Sequence, residues 1–197
     1  MNTFLPSISI QARSEFSTGR LYVLVHPHPR QALLEITAQL AAIVSVSSYL
    51  WVLDGGNWFN AYVVSSRLRQ IVNRDTAPSI IPFLDRIQVS RAFTCFQMAA
   101  MLEGAAAQAV PNSGPTLVFD LLGSFYDENV KYAERLRLLR CCLPILQLLR
   151  SSGPVLVSAR TGDPILTNLL IDAADALIQL PAQENKSINR QLSFLKE

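Results

Sequence analysis

Two aspartates stand directly after short apolar runs, a position from which a carboxylate can hold a metal ion. Asp54 follows YLWVL and Asp120 follows TLVF. In open parallel sheets, ligands bind beyond the carboxyl ends of the strands, and a carboxylate there holds magnesium through water in nucleotide hydrolases. The alternative is that each aspartate caps the turn or helix that follows it. For Asp54, which precedes two glycines, capping is favoured, whereas both roles stay open for Asp120.

A second group of reactive side chains lies in VHPHPRQALLEI, residues 25–36. The spacing of His26 and His28 is one that a metal ion can use. Loop histidines stiffened by alternating prolines are the simpler interpretation, so we predict no metal site. Arg30 either holds a phosphate at the start of the following helix, where the helix dipole favours anions, or is a solvated residue of the first turn.

The composition restricts the class of protein. Of the 197 residues, 50% are hydrophobic and 16% are charged, which favours a compact interior over disorder. The net charge of +2 is far from that of strongly basic nucleic-acid binders. No apolar run reaches the roughly 18 residues of a membrane span, and the start, MNTFLPSISIQARSEF, lacks signal-peptide features. We therefore expect a cytoplasmic protein without membrane contact.

Short apolar runs alternate with helix-length segments from Leu21 onward, and continuous apolar runs are typical of strands covered on both faces. This alternation predicts an α/β fold with a mainly parallel sheet flanked by helices. Pro144 predicts a kink or a break in the last helical segment. Residues 176–197 predict two strands joined by a polar turn, an antiparallel hairpin at the sheet edge. The runs are 21–26, 49–54, 86–91, 116–121, 155–159 and 176–180, and the helical segments are 30–44, 59–73, 94–108 and 128–150.

The order of these features resembles the core of the RecA/RadA recombinase ATPases across roughly residues 18–195. STGRLYVLVH resembles the segment that enters the phosphate loop, and VLDGGNWF resembles the second strand with its acidic-glycine turn. RIQVSRAFTCFQMAAML resembles the third strand and its helix, and LVFDLLGSFYDENVKYAERLRLL resembles the Walker B strand and the helix after it. AADALIQL, followed by a basic hairpin, resembles the C-terminal strands. The resemblance implies a RecA-like, P-loop NTPase-type domain over 18–197, with strand order 3-2-4-5-1-6-7 and an arm over 1–17.

The phosphate loop departs from this family. A phosphate loop is glycine-rich because consecutive backbone N–H groups turn inward around the phosphates, and its lysine neutralises their charge. In a gapless overlay, residues 26–33 cover the whole loop, and Pro27 and Pro29 remove N–H donors. The lysine position is Ala32, and the position of the magnesium-binding Ser/Thr is Leu33.

The catalytic residues depart from the family as well. The position of the catalytic glutamate is Gly56, and only Asp120 keeps an acidic part of the site. The resemblance then makes His28, Arg30, Asp54 and Asp120 the remains of a nucleotide site. We expect no ATP hydrolysis and no bound ATP or magnesium as cofactor, so the chain is more consistent with a protein that is not an enzyme.

The resemblance also places DNA-binding loops after the fourth and fifth strands, at residues 124–130 and 159–168. The matching aromatic and basic residues there are Phe125, Tyr126, Lys131 and Arg160. Base stacking with phosphate contact is how single-stranded DNA is held. A solvated helix face is the alternative, since acidic residues dilute the charge of these loops.

Three hypotheses follow. The first is a non-catalytic RecA-like scaffold or accessory factor in DNA recombination or repair, binding itself or a RecA-family recombinase and in addition single-stranded DNA. The second is a divergent nucleotide-binding ATPase that holds phosphate with Arg30 and metal with Asp120. The third is a protein–protein interaction module without a DNA role. In recombinase filaments a phenylalanine before the core docks on the neighbouring subunit, so the resemblance makes Phe4 or Phe16 of the arm a candidate contact.

Overall fold

A parallel β-sheet forms the centre of the protein. The computed structural model describes residues 19–72, 79–111, 114–178 and 180, and the sheet within them has six strands in the order β3-β2-β4-β5-β1-β6. Every neighbouring pair is parallel, and β4 lies in the interior, as in the strand order that the resemblance implies. The strands are β1 (Leu21–Val25), β2 (Leu50–Asp54), β3 (Ile87–Arg91), β4 (Thr116–Phe119), β5 (Val155–Ala159) and β6 (Ala176–Leu177).

Helices connect the strands on both faces of the sheet. The four predicted helical segments are confirmed with shorter ends, whereas α3, α6 and the 3₁₀ helix were not predicted. α6 begins at Asp163-Pro164, where the Asp163 carboxylate accepts hydrogen bonds from the backbone N–H groups of Ile165 and Leu166. No described helix is both long and apolar enough to cross a bilayer. The helices are α1 (Arg30–Ile43), α2 (Ala61–Ile71), α3 (Ile81–Leu84), α4 (Cys95–Gln108), α5 (Tyr132–Leu149) and α6 (Pro164–Asp172), with a 3₁₀ helix at Leu121–Tyr126.

Two hydrophobic clusters sandwich the sheet, because successive residues of a strand point to opposite faces. One face, carrying Leu53, Val118 and Val157, packs against α4, α5 and α6. The other face, carrying Val52 and Phe119, packs against α1 and α2. This arrangement explains the continuous apolar runs of the sequence, since both sides of the interior strands are covered.

α5 continues through Pro144, so the break that the sequence offered as one alternative is wrong. Pro144 has no N–H group, so the carbonyl oxygen of Arg140, one turn earlier, lacks its helical hydrogen bond. Both residues are exposed, so water can replace the missing bond. β6, the first strand of the expected hairpin, pairs parallel with β1. The second strand of that hairpin and the arm over 1–17 lie outside the described residues.

Candidate functional site

The loops that follow β1, β2 and β5 enclose a cleft at the carboxyl edge of the sheet. Its volume is about 630 Å³. His28 and Arg30, predicted for a nucleotide site, line this cleft, and so does Arg160, which was predicted to contact DNA. Sheets of this kind bind ligands at this edge. The lining residues are Pro27, His28, Pro29, Arg30, Gln31, Leu34, Trp58, Val63 and Arg160.

The loop before α1 offers no backbone donor to a phosphate. The N–H of His26 donates to the carbonyl oxygen of Ala159 at 3.2 Å, and the N–H of His28 donates to Nδ1 of His26 at 3.0 Å. Pro27 and Pro29 have no N–H group. Residues 26–29 therefore contain no free amide that could turn toward an anion, in contrast to the amide cradle of a phosphate loop.

Asp54 organises the turn after β2. Its side chain is fully buried, Oδ1 accepts the N–H of Trp58 at 2.9 Å, and Oδ2 accepts the N–H of Phe59 at 2.9 Å. Nε of Arg91 lies 3.4 Å from Oδ2. Both carboxylate oxygens therefore act in the capping role that the sequence favours, and they hold Trp58 at the cleft.

Asp120 is joined to the end of the neighbouring strand β5. It is fully buried, and its backbone N–H donates to Oγ of Ser158 at 2.9 Å. Oδ1 accepts the backbone N–H of Arg160 at 3.2 Å, and Nη2 of Arg160 lies 2.8 Å from Oδ2. The backbone of Asp120 is left-handed, with φ of 49°, which is uncommon outside glycine. This carboxylate thus has a guanidinium as its cation.

The charge of Asp120 depends on Arg160. Burial raises the pKa of the Asp120 carboxyl, the Arg160 guanidinium lowers it in part, and the charge of Asp54 raises it further. Oδ2 has no hydrogen bond of good geometry, so its negative charge is balanced by the nearby positive charge rather than by an aligned donor. A divalent cation could approach Oδ2 only if Arg160 moved away.

Trp58 brings two arginines into the cleft. Nε of Arg30 donates to the carbonyl oxygen of Trp58 at 3.2 Å, and the guanidinium carbon of Arg160 lies 5.6 Å from the centre of the Trp58 ring. Gly56 packs beneath this group, because a Cβ atom there would come within 2.8 Å of both Asp120 Cβ and the Trp58 ring. Gly56, which the resemblance aligns with a catalytic glutamate, therefore has no room for a side chain.

The described residues contain no group of three or more histidine, cysteine, aspartate or glutamate side chains arranged to hold a metal ion. The histidine pair is engaged locally, because Nδ1 of His26 accepts the N–H of His28. The carboxylates of Asp54 and Asp120 are engaged as well, each with backbone N–H groups and an arginine side chain. The groups that remain available at the cleft are hydrogen-bond donors and positively charged side chains.

The four residues predicted for DNA do not form one surface. The ring of Phe125 is fully buried in the core, because the 3₁₀ helix turns it inward, so it cannot stack on a base. The Tyr126 hydroxyl donates to the carbonyl oxygen of Arg160 at 3.3 Å. Lys131 is exposed at the start of α5, whereas the Arg160 side chain is paired at the cleft.

Trp58 and the pairing of Arg160 with Asp120 were not predicted from the sequence. Arg160 stands directly after β5, as Asp120 stands directly after β4, and these strands are neighbours in the sheet. The expected strand order therefore contained the signal that their side chains meet. Trp58 had only its position after the Gly-Gly turn to indicate a role.

Comparisons with known proteins identify no family, since neither a protein-family model nor a curated protein matches this chain. The strand order, the cleft and the Asp120–Arg160 pair are therefore the features that bear on function.

Replacing Arg160 with alanine should destabilise the protein most at neutral pH. The change leaves a buried carboxylate without its cation, and we expect a loss of about 1–3 kcal/mol in the free energy of unfolding, below the value for a fully buried pair because Arg160 is half exposed. The measurement is urea unfolding at several pH values. Arg137→Ala, which breaks an exposed pair with Glu134, is the control and should change little.

The sign of the pH effect follows from the raised pKa of Asp120. The folded protein takes up this proton more readily than the unfolded chain. The resulting stabilisation is present below the unfolded-state pKa and is lost as pH rises through the folded-state pKa. Because Arg160→Ala raises the folded-state pKa further, its destabilisation should shrink toward acid pH. A loss that stays constant with pH would contradict this account of the pair.

Mg-ATP should bind no more tightly than about 1 mM, which corresponds to about 4 kcal/mol. Residues 26–29 supply no free amide, and Arg160 occupies the carboxylate that would hold the metal. Isothermal titration calorimetry with Mg-ATP measures this directly. Micromolar affinity, or ATP turnover that is lost in Asp120→Asn, would instead support a working nucleotide site.

Proposed function

We propose that this chain is a non-catalytic RecA-like protein of the P-loop NTPase type that acts as a scaffold or accessory factor in DNA recombination or repair. Its partner is a second copy of itself or a RecA-family recombinase. The observation that carries the proposal is the double loss at the cleft: residues 26–29 have no free amide, and Asp120 is paired with Arg160. Such a cleft lies where a nucleotide would bind, but it lacks the free amides that bind phosphate and the free carboxylate that binds a metal ion.

Strand order supports the RecA-like part of the proposal. The observed order of the six described strands is the same as the first six positions of the order that the resemblance implies. Asp54 and Asp120 stand at the carboxyl ends of β2 and β4, at the same edge of the sheet as the loop before α1. The motifs that resemble the recombinase core are therefore close in space as well as ordered along the chain.

Burial at the start of α1 supports the non-catalytic part. Ala32, at the position of the phosphate-loop lysine, is 7% exposed, and Leu33 is fully buried in the core. A lysine needs a path to the phosphates and a magnesium ligand needs access to the metal, and neither position provides it. Together with the filled space at Gly56, this means that no single substitution would restore hydrolysis.

Exposed apolar side chains beside a sheet edge support a protein partner. Among the described strands β3 lies at one edge of the sheet, and four of its five residues are exposed. Val89 in the strand and Phe93 and Phe96 just after it are 38%, 69% and 49% exposed. Exposed aromatic rings beside the edge of a sheet are features of surfaces that associate.

The second candidate is a protein–protein interaction module without a DNA role. The buried ring of Phe125 and the internal pairing of Arg160 favour it, because they remove two of the four expected DNA contacts. A divergent ATPase is a weaker alternative. Only the position of Arg30 in the cleft favours it, and the Asp120–Arg160 pair opposes it.

Light scattering of the purified chain, alone and mixed with a RecA-family recombinase, tests the proposed assembly. We expect a homodimer, a larger oligomer or a mixed complex with an interface above roughly 1,000 Å². Replacing both Phe93 and Phe96 with alanine should weaken assembly. Leu148→Ala, at an exposed apolar position on α5, is the control and should leave it unchanged.

A shortened protein that begins at Ser17 tests the contribution of the N-terminal arm, and we expect it to associate less than the full chain. Adding single-stranded DNA to the mixture separates the first candidate from the second, because only a DNA-contacting scaffold enters a complex with the strand. A full chain that remains monomeric at high concentration, is unchanged by the deletion and does not join the recombinase would refute the proposal.

A further inference from the structure

The cleft carries positive charge without a carboxylate in its lining. Its polar side chains are those of His28, Arg30, Gln31 and Arg160, all of which can donate hydrogen bonds. The nearby Glu35, on the same helix as Arg30, pairs with Arg67 at 3.1 Å. Asp120 pairs with Arg160 and offsets its charge. Arg30 has no acidic partner among the described residues.

Both guanidinium groups are held in place by the protein. Nε of Arg30 is fixed by the Trp58 carbonyl group, and Arg160 is fixed by Asp120 and lies over the Trp58 ring. No bond within the described residues uses the terminal nitrogens of Arg30. Two like charges in one cleft repel each other, and an anion between them would relieve this repulsion. Because one tryptophan orients both arginines, their free donors are arranged before any ligand arrives.

We propose that this cleft binds a small phosphate-bearing anion without a metal ion. Arg30 and Arg160 donate charge-assisted hydrogen bonds to its oxygens, for which the planar guanidinium is well suited. The volume of about 630 Å³ lies in the range typical of small-molecule sites, and Leu34 and Val63 give the body of the ligand an apolar wall. This inference goes beyond the proposed function and does not depend on it.

The effect of magnesium distinguishes this site from a phosphate loop. In a phosphate loop the metal bridges the protein and the phosphates, so it strengthens binding. Here Asp120 is already paired with Arg160, and no other described group is arranged to hold the ion. Magnesium bound to the phosphate oxygens competes with the arginines, so it weakens binding.

Isothermal titration calorimetry of the full chain with pyrophosphate, in EDTA and at constant ionic strength, tests the inference. We expect saturable binding of one pyrophosphate per chain, accompanied by a change in tryptophan fluorescence because Trp58 contacts both arginines. Arg30→Ala should weaken binding by about tenfold or more, the loss expected for a charge-assisted hydrogen bond. Arg69→Ala removes the same charge from an exposed position on α2 and should leave binding unchanged.

Magnesium and succinate complete the test. Excess magnesium should weaken pyrophosphate binding, and succinate should bind more weakly than pyrophosphate. The inference is overturned if pyrophosphate shows no saturable binding, if Arg30→Ala and Arg69→Ala have equal effects, or if binding requires magnesium. Succinate that binds as tightly as pyrophosphate would overturn the assignment to phosphate. The assembly measured by light scattering does not depend on any of these results.

Discussion

The ion pair between Asp120 and Arg160 is the interaction on which the rest of the site depends. A fully buried carboxylate is costly unless a cation or hydrogen bonds compensate it, and Arg160 supplies both a charge and a backbone donor. The surrounding chain is fitted closely to the pair: a Cβ atom at Gly123 would overlap the Asp120 carboxylate and approach Nη2 of Arg160 at 2.9 Å. The pair therefore joins the loops after β4 and β5, and the Arg160 guanidinium also lies over the ring of Trp58.

This constraint bears on what the cleft can bind. With Arg160 beside Asp120, the cation-binding role of the carboxylate is filled from within the chain, and a phosphate loop would have no metal to work with. The loop before α1 satisfies its amides internally and replaces two of them with prolines. Neither a metal ion nor an amide cradle is therefore available to a ligand at residues 26–29 and Asp120. The described part of the sheet instead presents positively charged side chains at the cleft and an exposed β3 edge.

The sequence predicts the sheet well because its physical signals are local. Strands buried on both faces are continuous apolar runs, and an aspartate before Gly-Gly caps a turn by its own side chain. The errors arise where tertiary contacts decide. Phe125 lies in a loop by pattern, yet the 3₁₀ helix turns its ring into the core. The role of Arg160 depends on which strands are neighbours, which requires the sheet order as well as the residue.

Paramagnetic broadening by manganese tests the central claim, that Arg160 takes the place of a metal at Asp120, most directly. Mn²⁺ binds oxygen ligands as Mg²⁺ does, and it broadens the amide signals of residues close to it. The account predicts no site-specific broadening of the Gly55, Gly123 and Arg160 amides in the protein as it stands. Broadening centred on these amides that saturates at submillimolar Mn²⁺ would contradict the account, because it would show a metal bound at Asp120 despite Arg160.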